Sequence, residues 1–296
     1  MWLTSSLYFQ LGSGSGLDVI KYPTCSNTCP FGGKQRHHSL YFIALFMINF
    51  IEENCHFRLS NALYRKGHSY KPHSHKDTAI SIVLNGIVHE KVDNKLEIGK
   101  SAVTIIKPAE IIHQNIFTED CTILCLYLKN IRKNKLKHSD ILEEWTWMSG
   151  LNCIPYFINI LQSKDEKQIH ESIADLLRYI SFCKTDSTVT NMPSWLADAK
   201  AYIDTYYDEP VNVTALAKKY KVHRVYLARV FNKYFGQNIK SYLKSLRIHH
   251  SVASLINGTS INDTAFVNGY SDQSHLQRNF KQQLQQTPLE FQNLFK

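Results

Sequence analysis

A stretch near the C-terminus is written twice. Leu227-Ala228-Arg229-Val230-Phe231 with Gly236-Gln237 recurs 49 residues later as Leu276-Gln277-Arg278-Asn279-Phe280 with Gln285-Gln286. At the same offset Tyr226 aligns with His275, Phe235 with Leu284 and Tyr242 with Phe291, so most shared positions are apolar ones that a helical core needs. A fixed internal period marks a duplicated structural unit. Ala215-Leu216-Ala217 ahead of the first copy and Thr264-Ala265 ahead of the second complete a helix, a tight turn and a second helix in each.

In the second copy Gly269-Tyr270-Ser271 supplies a residue that tolerates positive φ, an apolar plug and an N-cap hydroxyl. The helix that follows is expected from about Asp272 to Gln283. Leu276 and Phe280, four apart, face inward and leave Gln273, Ser274, Gln277, Arg278 and Lys281 outward. By the same spacing the first copy turns Leu227 and Phe231 inward and Arg224, Val225, Ala228, Arg229 and Asn232 outward. Amides and arginines on one exposed helix face are the groups that read base edges. Between the copies, Ile239 to about Asn257 lacks proline and glycine, with Ile239, Leu243, Leu246, His250 and Ala253 at helical spacing. Such a rod is roughly 28 Å long. It can hold two reading helices about 34 Å apart, one turn of duplex.

Charge fits the same partner. Residues 193–296 carry thirteen Lys or Arg against seven Asp or Glu, a net +6 out of +9 for the chain. That excess suits phosphate neutralisation; the competing reading is a helical bundle with a solvated basic surface.

These residues resemble the double helix-turn-helix domain of the AraC/XylS family of bacterial transcription regulators. The resemblance runs from about Trp195 to the end, strongest in Ser260-Ile261-Asn262-Asp263-Thr264-Ala265, Gly269 through Lys281, and Thr287-Pro288-Leu289-Glu290-Phe291. It implies base-facing positions at Val225, Ala228 and Arg229 in the first unit and Gln273, Ser274, Gln277 and Arg278 in the second. Thr264, Gln285, Lys221 and His223 depart from the family pattern. Lys221 stands at a turn glycine and His223 at an N-cap serine, which implies a less rigid first unit. Val225 and Ala228 offer only apolar contact, so hydrogen-bonded readout is expected mainly from the second unit.

The chain's 296 residues leave room for about two domains. Its seven cysteines form no CxxC pair, which fits a reducing cytoplasm. The apolar run Leu40–Ile51 is too short to cross a bilayer and is expected to be a buried strand or helix. The Gly/Ser-rich opening within residues 1–39 reads as linker-like and poorly ordered. From about Phe57 to Leu128, short β-type runs at Ile80–Leu84, Ile87–Val92, Ala102–Ile106 and Cys121–Leu128, broken by Asn85-Gly86 and Asp93-Asn94, suggest an antiparallel barrel or sandwich.

Within that region Gly67-His68-Ser69-Tyr70-Lys71-Pro72-His73-Ser74-His75 and Pro108-Ala109-Glu110-Ile111-Ile112-His113 resemble the two cupin motifs. His73 and His75 alternate onto one strand face, and His113 would join them from a neighbouring strand. The cupin glutamate is missing, with Thr78, Ala79 and Ile80 in its place. Three readings stand open: a small-molecule effector pocket lined by His73, His75 and His113, structural histidines, and a bound metal. The first is the one adopted, with no metal, no cofactor and no catalytic role. A metal-dependent cupin enzyme is the rival that the missing glutamate disfavours.

Residues 139–183 read as helical, with Ile169, Ile173, Leu176, Leu177 and Ile180 forming a stripe that covers the barrel or seals a homodimer. Residues 184–194 read as a linker. The fold expected is therefore a two-domain α+β chain. A cupin-like antiparallel β barrel occupies 40–138 with a helical extension over 139–183, and an all-α double helix-turn-helix joined by a long helix occupies 195–296. The function expected is a cytoplasmic, sequence-specific, promoter-binding regulator, an activator by resemblance, answering to an unknown small-molecule effector. The resemblance further implies contact with RNA polymerase; no membrane partner is expected.

Overall fold

The computed structural model describes residues 40–43, 46–100, 102–130, 139–149, 153–185 and 192–295. The linker-like opening and residues 186–191 of the interdomain stretch lie outside them. Among the described residues ten strands come first: β1 Leu40–Ile43, β2 Phe46–Glu53, β3 Phe57–Tyr64, β4 Thr78–Asn85, β5 Ile87–Val92, β6 Lys95–Lys100, β7 Val103–Lys107, β8 His113–Phe117, β9 Cys121–Leu128 and β10 Thr146–Ser149. They form two antiparallel sheets, a large one in the order β1-β2-β3-β9-β4-β7-β10 and a small one in the order β6-β5-β8. The apolar run at Leu40–Ile51 is thus two paired strands, with Leu40 opposite Asn49.

The two loops read from the sequence do different work. Asp93 and Asn94 both take positive φ, 45° and 66°, and close a two-residue hairpin between Val92 and Lys95. Asn85-Gly86 is instead a corner where the chain leaves the large sheet for the small one. Gly86 has φ 83°, and a Cβ there would collide with the backbone carbonyl of Asp120.

Strand parity builds two cores. Ala79 and Val83 of β4 join Val88, Ile105, Phe117, Ile123, Cys125 and Tyr127 between the sheets. Ile80, Ile82 and Leu84, on the other face of the same strand, join Leu124, Leu126 and Leu128 and pack outward against helices. Strands buried on both faces lose the polar alternation of a half-solvated sheet and read as continuous apolar runs.

The segment 139–183 is only partly helical. A 3-10 turn at Ser139–Leu142 leads into β10, which pairs with β7, Trp147 lying opposite Ile105. Tryptophan, threonine and methionine in a short run pair well at a sheet edge, and the helical reading of those residues is corrected accordingly. Two helices follow, α1 Ile154–Gln162 and α2 Glu166–Thr185, the latter running two residues into the stretch read as linker. The predicted stripe Ile173, Leu176, Leu177 and Ile180 is buried against the outer face of the large sheet, with Ile169 packed at its margin. It covers the barrel.

Seven helices follow among the described residues: α3 Ser194–Thr205, α4 Val213–Lys219, α5 Arg224–Phe235, α6 Ile239–Ile256, α7 Ile261–Val267, α8 Gln273–Leu284 and α9 Pro288–Leu294. Leu196, Ile203, Leu216, Ala217, Leu227, Val230, Phe231 and Ile239 make one core. Ala265, Tyr270, Leu276, Phe280, Leu284 and Phe291 make the other, and through α6 that core is continuous with the outer core of the large sheet. The buried face of α6 is therefore wider than expected. Ile248, His249 and Val252 are buried as well, while His250 is half-buried, its ring stacked on Tyr207 at 3.8 Å.

Candidate functional site

Two groups of residues carry chemistry: the outward faces of α5 and α8, and a histidine cluster inside the barrel. The turns that aim the two helices are the same structure with one insertion. In the first unit the N–H of Val222 donates to Ala217 O at 3.0 Å and Lys221 adopts φ 54°. In the second the N–H of Tyr270 donates to Ala265 O at 3.0 Å and Gly269 adopts φ 72°. This is the six-residue closure of a helix through a left-handed residue. These positions match at an offset of 48 and the following helices at 49, so the second turn holds one extra residue.

That residue moves the cap. Asp272, not Ser271, caps α8, its carboxylate accepting the N–H of His275 at 2.7 Å, while the Ser271 hydroxyl donates to Asp272 at 2.9 Å. The two N–H and O–H donors hold the Asp272 carboxyl below its ordinary value. In the first unit the ring Nδ1 of His223 accepts the N–H of Val225 at 3.3 Å, a longer contact. Each reading helix ends on a left-handed residue, Gly236 at φ 65° and, 49 positions on, Gln285 at φ 56°.

On these helices Leu227, Val230 and Phe231 are buried in α5, and Leu276, Asn279, Phe280 and Leu284 in α8. Arg224, Val225, Ala228, Arg229 and Asn232 are all exposed, Val225 at 60%. Gln273, Ser274, Arg278 and Lys281 are exposed too, and Gln277 is half-exposed. Arg229 lies over the ring of Tyr226 at 5.6 Å, and Tyr226 in turn rests 6.0 Å from Trp195. The repeat pattern counted Tyr226 among the positions that a helical core needs, but it is exposed; its position one turn from Arg229 was the available signal.

The barrel brings His73, His75 and His113 together. His73 and His113 form a two-bond bridge, each N–H donating to the other's carbonyl at 2.9 and 2.8 Å. Ring centroids are 4.4 Å apart for His73 and His113 and 5.0 Å for each pair with His75. One nitrogen from each ring lies within 4.8 Å of the others. Nδ1 of His73 sits 2.9 Å from Lys71 O, and Nδ1 of His113 sits 3.1 Å from Ile111 O. Protonated at Nδ1, both rings turn Nε2 inward as an acceptor, and Nε2 of His113 is buried without a protein partner among the described residues. Burial is the main cause that lowers all three below the usual imidazole value, with Lys107 lowering each further, and it brings His113 to about 3.

Neutral, inward-turned imidazoles at these separations fit a metal ion as well as a hydrogen-bonding ligand. Around them the interior is polar in a way the strand pattern did not announce. Glu90, fully buried on β5, pairs with Lys107 and accepts from Asn115 Nδ2 at 2.6 Å. Glu90 is not a member of the histidine group, so it does not replace the missing cupin glutamate. Arg58 is buried 4.1 Å from the Tyr127 ring. The signal for these residues was parity, since Arg58, Glu90, Lys107 and Asn115 all sit at inward positions of their strands. The cavity that Arg58, Lys107 and Asn115 share with His73, His75, Ser81 and Cys125 measures about 40 Å³, against roughly 300 Å³ or more for a drug-sized ligand.

No helix among the described residues is long and apolar enough to cross a membrane.

Comparison with known proteins places the C-terminal helices. The family described as "Helix-turn-helix domain" matches residues 216–293. The regulatory protein SoxS of Escherichia coli is 29% identical over 99 residues, 33% of this chain and 92% of SoxS. The lactose operon transcription activator of Staphylococcus xylosus is 30% identical over 95 residues, 32% of this chain and 34% of that protein. Among solved structures, ToxT from Vibrio cholerae aligns over 81% of this chain and 98% of its own, with 13% identity and a TM-score of 0.35.

Proposed function

We propose that this chain, whose C-terminal helices form a double helix-turn-helix of the AraC/XylS type, is a cytoplasmic transcription activator controlled by a small effector in the barrel. The observation that carries the DNA-binding part is the outward placement of the ten DNA-contact candidates on α5 and α8, nine exposed and one half-exposed. In this reading Arg224, Val225, Ala228, Arg229 and Asn232 meet one major-groove segment and Gln273, Ser274, Gln277 and Arg278 the next, with Lys281 on the adjoining phosphate. A barrel over 40–138 with its 139–183 cover senses, residues 184–194 link, and 195–296 bind promoter DNA, RNA polymerase being a further contact. With α1 and α2 already spent on covering the sheet, a homodimer would form elsewhere on the surface.

The effector reading is supported by β4. Ser81 borders the histidine cavity, while Ile80, Ile82 and Leu84 on the other face pack in the core that α6 shares. An effector that separates the two sheets would displace β4 and, with it, the rod that spaces the reading helices. Control requires that the effector favour one arrangement over the other. The small cavity favours a compact effector or one that opens the sheets as it enters. A metal ion is the second reading, supported by the three inward nitrogens. His73, His75 and His113 would hold it, and it would supply a Lewis-acidic centre that fixes an anionic effector group.

Selection of bound sequences from a random duplex pool, with and without candidate metabolites, tests the proposal. Two short enriched blocks one helical turn apart are expected. An unenriched pool would overturn sequence-specific binding.

A further inference from the structure

Outside the barrel, a second set of ligating side chains meets where a sheet turn faces a helix. His56 sits in the turn between β2 and β3. Its backbone is clamped: Asn54 Oδ1 accepts the N–H groups of His56 and Phe57 at 2.9 and 3.0 Å, and the N–H of Lys129 donates to His56 O at 2.8 Å. Glu166 and His170 stand one turn apart on α2, on one face of the helix. The first turn of α2 is itself anchored, Asp165 accepting the N–H of Gln168 at 2.9 Å.

His56 Nε2 is 3.9 Å from Glu166 Oε1, and the His56 and His170 rings meet edge-on with centroids 5.0 Å apart. One donor atom from each of the three residues lies within 4.8 Å of the other two. Nε2 of His170 is shielded from solvent and has no hydrogen-bond partner among the described residues. The depression that Glu166 and His170 border with Lys167, Glu171 and Ala174 is open. Lys167, which borders the same depression, lies 3.9 Å from Glu171.

We propose that His56, Glu166 and His170 bind a divalent transition metal, zinc by preference, and that the ion fastens α2 to the sheet. Two imidazoles and a carboxylate are a donor set for borderline cations, with bonds of about 2.0–2.2 Å and a fourth position open to water. A tetrahedral ion places its donors about 3.3–3.6 Å apart. Binding would draw the present separations in by about 1 Å, a change within the reach of side-chain rotation about a clamped backbone. The carboxylate supplies a negative charge that two neutral imidazoles lack, and its exposure gives the ion a way in.

The test is titration of the purified, metal-stripped full chain with Co²⁺, followed by its visible absorption, and with Zn²⁺, followed by native mass spectrometry and thermal melting. Four proteins are compared: the unaltered chain, Glu166→Gln, His170→Gln and His73→Ala. The expected result is one equivalent of ion that persists in His73→Ala, in which the interior histidine cluster is disabled. In Glu166→Gln and His170→Gln that equivalent binds at least about tenfold more weakly, and the rise in melting temperature with Zn²⁺ is lost. Glu166 is half-exposed and its replacement leaves packing intact, so it reports on the site even if His170→Gln does not fold. Unchanged stoichiometry and affinity in Glu166→Gln, or loss of all bound ion in His73→Ala, would overturn the proposal.

Discussion

Arg278 and Lys281 stand three residues apart on the exposed face of α8, yet their removal should have different consequences. A guanidinium that forks onto a base edge discriminates among sequences, so Arg278→Ala should relax preference at one position by about 1–3 kcal/mol. An ammonium near the helix end acts as a point charge on phosphate. Lys281→Ala should weaken all duplexes alike and reduce the slope of log affinity against log salt by about one. Binding measured across single-base variants and several salt concentrations separates the two. Identical behaviour would mean that reading and anchoring are not divided in this way. At Gly269 the demand is steric and conformational at once. Its φ is 72°, and a Cβ would collide with the backbone of Asp208, so Gly269→Ala should cost more than the roughly 1–2 kcal/mol of left-handed strain alone. Lys221 holds the matching turn with a side chain already in place.

The reading helices show how far one residue's conformation governs an element. Gln285 and Gly236 end α8 and α5 in the same left-handed geometry, but only glycine adopts it without strain. Gln285→Gly should raise stability by about 0.5–1 kcal/mol, the strain relieved less the added freedom of the unfolded chain. Thermal melting of the full chain measures it, and a lowered midpoint would mean that the Gln285 side chain contributes more than its backbone costs. These helices were legible because amphipathic period, caps and turn chemistry agree over the repeated unit. The strands were less so. Leu59, Ile80, Leu124 and Leu126 are buried in a core on one face of their strands while Ala62, Val83, Ile123 and Cys125 are buried on the other, which erases alternation. β10 is four residues long and reads as the start of a helical segment, because its strand character depends on β7 being beside it. The three histidines could be grouped from their spacing; Glu90 and Lys107 carried only their inward strand parity as a signal, and nothing local marks the two as partners.

At the scale of the whole molecule, the feature without a sequence signature is the docking of α6 on the barrel. Ala102, the left-handed residue ahead of β7, donates its N–H both to Val83 O at 3.0 Å and to Nε2 of His249 at 3.1 Å. His249 is wholly buried, and burial, then its neighbour His250, hold it far below the usual imidazole value. His250 is brought down to about 4 and His113 to about 3, chiefly by burial. In each case the folded form resists a proton that the unfolded chain accepts near 6.5. The stabilising contribution is therefore complete above about pH 6.5 and is lost as the pH falls toward the folded values. Unfolding free energy should drop between pH 7.5 and 5 by up to about 1.4 kcal/mol per pH unit for each such histidine. In His249→Gln the amide oxygen can still accept the Ala102 N–H but does not titrate, and the slope should shrink by about one proton. Denaturant melts at four or five pH values measure that slope. An unchanged slope in His249→Gln would mean that α6 releases the barrel before the chain unfolds, so that His249 meets water in the folded state and the two halves of the molecule are not one cooperative unit.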